Sequence, residues 1–132
     1  MNAAVLAIIQ AAIVLVAGAT AVWWGGVAVT WVFGRLSPAA ETDDVAGPQA
    51  ETAVLRGGEW IGRVERTAVF ATVLTGFPEG IAIALALKGI GRYPELKTGS
   101  KVASERFIIG TFVSLLVAAG LGGLSRWALQ VI

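Results

Sequence analysis

Along the chain, charged and uncharged stretches alternate in long blocks. No charged side chain occurs from Asn2 to Gly34, and a second apolar run covers Thr67 to Leu87, broken by Glu79. A third runs from Phe107 to Leu124. About 20 residues of α-helix cross a hydrocarbon core of about 30 Å. The first run therefore predicts a transmembrane helix over about residues 3–34. It has no basic n-region and exceeds a signal-peptide core, so a cleaved leader is not expected. Trp23 and Trp24 are expected at a membrane interface, with Gly25-Gly26 as a bend, or within one long tilted helix. Residues 59–66 form an amphipathic lead-in to a second helix ending near 88. Ser104 is expected to cap a third, over about 105–127.

Between these runs the composition changes. Residues 35–57 hold Pro38, Gly47, Pro48 and the acids Glu41, Asp43, Asp44 and Glu51, an aqueous acidic loop in which Pro48 starts a short helix through Leu55, ended by Gly57-Gly58. Asp43-Asp44 lacks further ligand spacing and reads as a solvated turn. Residues 89–103 form a basic loop broken by Pro94 and Gly99. The expected fold class is all-α, a single polytopic membrane domain spanning 1–132 with three transmembrane helices and a kinked or re-entrant second helix.

Length and charge disagree about that second helix. Thr75-Gly76-Phe77-Pro78-Glu79-Gly80 puts a carboxylate and a helix breaker into an apolar run, and Pro78 removes an amide donor and crowds the carbonyl of Leu74. A kinked span leaves the basic residues evenly divided: Lys88, Arg92, Lys97, Lys101 and Arg106 face Arg35, Arg56, Arg63, Arg66 and Arg126. A hairpin turning at 76–80 leaves only Arg126 opposite the other nine, as the positive-inside rule prefers. Length favours the kinked span, because a hairpin tip at membrane depth needs protein or a water-filled cavity around it.

Composition narrows the chemistry. The chain is 56% hydrophobic and 14% charged, with no His and no Cys. Disulfides, thiolate or imidazole catalysis and His/Cys metal sites are thereby excluded. No enzyme, cofactor or metal is expected. Ten basic and nine acidic residues nearly cancel, which gives no footprint for nucleic acid. The bilayer is the expected partner, with anionic headgroups drawn to the 88–106 loop.

Small residues recur at helical spacing: Thr72, Gly76, Gly80 and Ala84 in the second segment, and Gly110, Ser114, Ala118 and Gly122 in the third. Gly76, Gly80, Ala84, Gly110, Ala118 and Gly122 are accordingly the expected helix-packing positions, against each other or against copies of the chain. Glu79 is the candidate ion-site or pore residue, with Thr75 beside it. Counting outward from the basic loop brings Thr111 and Ser114 level with Glu79 as hydrogen-bond partners, and Arg126 level with Glu65 as an ion pair. Glu65, Arg66, Lys88, Arg92, Glu105 and Arg126 read as a structural charge network. A protonatable or cation-binding Glu79 at a broken helix stands beside a Glu that hydrogen-bonds across helices and holds an oligomer together.

Gly58-x-x-Ile61-Gly62-x-x-Glu65-Arg66, Gly76-x-x-Glu79-Gly80-Ile81, Ala86-x-Lys88-x-Ile90-x-Arg92 and Ser104-Glu105-x-Phe107-x-Ile109-Gly110-Thr111 are the most distinctive charge spacings in the chain. Residues 58–124 bearing them resemble the C-terminal membrane segment of an uncharacterised bacterial membrane-protein family, a domain of unknown function. The N-terminal part departs from that pattern. The resemblance implies membrane helices and brings no activity. The function expected from the sequence is a homo-oligomeric pore or ion-conducting component of the bacterial inner (cell) membrane, multi-pass, using Glu79. The alternative is a non-conducting accessory or scaffold subunit of a larger membrane complex. A holin-like lysis protein fits less well, since its tail is usually more basic.

Overall fold

The computed structural model describes residues 2–36, 48–91, 93–99 and 101–132. All regular structure in them is helical: α1 (Ala3–Leu36), α2 (Pro48–Thr75), α3 (Glu79–Gly91), α4 (Tyr93–Thr98) and α5 (Lys101–Val131). Asp43-Asp44 and Arg92 lie outside the described residues. α1 runs unbroken through Gly25-Gly26, the alternative of one long helix. α2 likewise begins at Pro48 but continues through Gly57-Gly58 to Thr75 as one helix, longer than the expected lead-in. α5 opens at Lys101, three residues ahead of the expected cap Ser104. Pro94, expected in a loop, falls in the first turn of the short α4, where its missing amide costs nothing.

α2 stops at Thr75 in a Schellman turn. The Phe77 amide donates to the Thr72 carbonyl at 2.8 Å and the Gly76 amide to the Val73 carbonyl at 3.1 Å, with Gly76 at φ 80°. Pro78 and Glu79 then open α3, whose first amides, Gly80 and Ile81, donate to the carbonyls of Phe77 and Pro78. α3 packs back along α2: Gly80 sits on the Thr72 side chain, and Lys88 reaches Glu65. In a helix continuing through Pro78, residues 65 and 88 would be separated by roughly 35 Å of rise. The second segment is therefore a helical hairpin, and the kinked continuous span is not what forms.

α1 and α5 flank the hairpin. Gly18 meets Phe70, Gly110 meets Phe33 and Val29, and Gly122 lies so close to α2 that an added Cβ would stand 2.9 Å from the Phe70 carbonyl oxygen. The expected small-residue positions Gly80, Ala84, Gly110, Ala118 and Gly122 thus join helices of this one chain. Val69, Leu115 and Ala118 form the buried centre, with Ile81, Ala84 and Leu85 of α3 against it.

Burial is inverted relative to a water-soluble domain. Arg66, Thr111, Ser114 and Ser125 are buried, while Ile8, Leu15, Val16, Leu116, Trp23 and Trp24 are exposed. Among the described residues, α1 and α5 are the two helices long and apolar enough to cross a membrane.

Candidate functional site

Arg66 is the centre of the polar interior. It lies on α2, 7% exposed, where an arginine retains its charge and needs donors satisfied from all sides. Its Nε donates to the Val22 carbonyl of α1 at 2.9 Å, and one Nη donates to the Ser114 hydroxyl of α5 at 3.3 Å. One guanidinium therefore ties three helices together. Room for it comes from glycines: a Cβ on Gly25 would stand 2.2 Å from Arg66 Cδ, and one on Gly62 would stand 3.2 Å from its guanidinium. Among the described residues, no buried side-chain nitrogen or oxygen lacks a hydrogen-bond partner.

Beside it, Lys88 of α3 pairs with Glu65 of α2, both half-buried. This pair closes the open end of the hairpin and replaces the expected Glu65–Arg126 pair. That expectation assumed one continuous span; once α3 folds back, Lys88 is the cation level with Glu65. Lys88 also lies 5.5 Å from the Phe107 ring centroid. Outside this cluster, Arg63 stands against the rings of Trp60 and Trp23 at 5.4 and 6.0 Å, joining α2 to α1.

Arg126 sits at the closed end. Its Nη1 donates at 3.2 Å to the carbonyl of Leu74, one of the acceptors left without an intrahelical amide where α2 ends. The guanidinium fills the space a side chain on Gly76 would occupy. Gly76 is therefore needed for a left-handed turn and for Arg126, more than for helix packing.

The other expected site residues separate. Glu79 is exposed at the first turn of α3, where a carboxylate suits the helix dipole. Ser114 is committed to Arg66, so it is not the partner of Glu79. Thr75 donates to the carbonyls of Ala71 and Thr72 within its own helix. Thr111 is buried one turn before Ser114, and Glu105 is exposed near the start of α5.

Between α1, the hairpin arms and α5 lies a cavity of about 660 Å³. Arg66, Lys88, Arg106 and Glu65 line it, with Thr111 and Ser114 at its inner end and Val64 and Leu87 among its apolar walls. The sequence marked Glu65, Arg66 and Lys88 as a structural charge network and Thr111 and Ser114 as partners of Glu79; Arg106 was in neither group. The signal for a buried Arg66 was the glycine at Gly62, one turn before it, together with Gly25 on a charge-free helix. No family model, curated protein or solved structure matches the chain.

Proposed function

We propose that the chain is a small multi-pass protein of the bacterial cell membrane which assembles with copies of itself, the hairpin tip bearing Glu79 lining an ion path through the assembly. The membrane setting is supported by the inverted burial. In the apolar window of α1 only 6% of positions are buried within the chain, so α1 is not the core helix of a water-soluble fold. With α1 and α5 as spans, the hairpin enters and leaves on the side of Arg35 and Lys101. The positive-inside rule then assigns that side to the cytoplasm.

The observation that carries the reading is the depth and exposure of Glu79. The midpoints of α1 and α5 fall near Ala19 and Leu116. Ile81 packs on the cluster of Val69, Leu115 and Ala118. Arg126, ten residues or about 15 Å of rise beyond the α5 midpoint, reaches back to the Leu74 carbonyl at the tip, so Glu79 lies between the midplane and the far interface, within the apolar span. An exposed carboxylate inside the apolar span cannot face hydrocarbon without a penalty, which reaches roughly 2.5–3.5 kcal/mol at a helix centre on insertion scales. Irregular backbone at membrane depth must likewise be covered by protein or by water. A ring of copies meeting at the hairpin tip supplies both.

The test is native mass spectrometry in nanodiscs together with cation flux into proteoliposomes. A closed homo-oligomer whose flux falls severalfold in Glu79→Gln supports the reading. A monomer, or recovery only with another chain attached, overturns it in favour of the accessory-subunit alternative.

A further inference from the structure

We propose that the cavity between α1, the hairpin arms and α5 seats the phosphate headgroup of one anionic phospholipid from the leaflet at the hairpin's open end. Its volume, about 660 Å³, suits a single small ligand or headgroup, for which roughly 300–1,000 Å³ is usual. Three cationic side chains from three elements line it: Arg66 of α2, which also donates to Val22 and Ser114, Lys88 of α3, which pairs with Glu65, and Arg106 of α5; Glu65 is the one carboxylate among the described lining residues. Guanidinium groups offer planar paired donors that match phosphate oxygens. Basic pockets between membrane helices are a recurring setting for anionic headgroups.

The walls distinguish a lipid from a free anion. Val64 and Leu87 line the cavity and are 64% and 66% exposed. Apolar surface therefore continues from inside the cavity to the lipid-facing flank of the hairpin. An acyl chain leaving the headgroup has that path to follow, whereas inorganic phosphate has no use for it. Glu65, already paired with Lys88, competes with the phosphate for the same cation.

This inference shares with the proposed function only the membrane setting. The experiment is native mass spectrometry of the whole protein titrated separately with phosphatidylglycerol, phosphatidylcholine and inorganic phosphate. One phosphatidylglycerol per chain should bind at least about tenfold more tightly than phosphatidylcholine. Arg106→Gln should weaken it about fivefold to tenfold. Glu65→Gln should strengthen it severalfold, an opposite sign that mere loss of structure would not give. Lys101→Gln, a cation of the same helix outside the cavity, should leave it unchanged. Equal binding of the two lipids, an equal loss in Lys101→Gln, or inorganic phosphate displacing the lipid at comparable concentration would each overturn the proposal. The same spectra report the oligomer mass, so lipid binding and self-assembly succeed or fail separately.

Discussion

Replacing Gly25 by alanine should destabilise the protein only while Arg66 is present. The added Cβ would lie 2.2 Å from Arg66 Cδ and 3.0 Å from Nε. Ordinary carbon contacts are roughly 3.5–4.0 Å, so the side chain must retreat by more than about 1 Å. Its Nε donates to the Val22 carbonyl at 2.9 Å, on the same helix as Gly25, and cannot retreat and keep that bond. A hydrogen bond from a charged donor is worth about 1.5–3 kcal/mol. Alanine in place of glycine favours a helix by up to about 1 kcal/mol, in the opposite direction. The net loss in the native background is then about 0.5–2 kcal/mol. In an Arg66→Ala background there is no Cδ to strike and no bond to lose, so Gly25→Ala should be neutral or stabilising. The double-mutant cycle isolates a coupling of about 1.5–3 kcal/mol. Reversible SDS unfolding in micelles, followed by far-UV circular dichroism on the four proteins, measures it. Additivity within about 0.5 kcal/mol would refute the close approach of Gly25 to Arg66.

Two further perturbations address the hairpin. Gly76→Ala places a side chain at φ 80°, which costs about 1–2 kcal/mol in strain, and it also displaces Arg126 from the Leu74 carbonyl. Part of the loss should therefore vanish in an Arg126→Ala background, as thermal unfolding can establish. Glu65→Lys and Lys88→Glu should each lower the melting temperature, and the double swap should recover most of the loss, with a coupling of about 1–3 kcal/mol. No recovery would mean that the two hairpin arms do not meet at these residues.

What could be read from the sequence divides along the range of the interactions. α1 and the apolar part of α5 follow from uninterrupted apolar runs, and Gly110, Ala118 and Gly122 mark the packing face of α5 through spacing alone. The turn at 76–80 is different, because a proline and two glycines satisfy a kink and a reversal equally well over a few residues. The basic residues, counted by side, already pointed to reversal, but span length was given more weight. What separates the two is the meeting of Glu65 with Lys88, a contact across 23 positions that no local pattern encodes. The same error of register moved Ser114 from Arg66 to Glu79 and gave Arg126 to Glu65. Arg66 itself was expected in a charge network, although its surroundings are set by glycines on two helices.

The hairpin also bears on how such a chain enters a bilayer. On the membrane reading, α2 and α3 dip in and return, so the Glu65–Lys88 pair and the start of α5 stay on the face where the ribosome delivers them. On that reading α1 and α5 are the described helices that carry chain across, and Arg126 is the basic residue on α5 that passes to the far side. Insertion thus reduces to two apolar passages, with the charged interior assembled afterwards from the near side, once α1 and α5 stand on either flank to receive it.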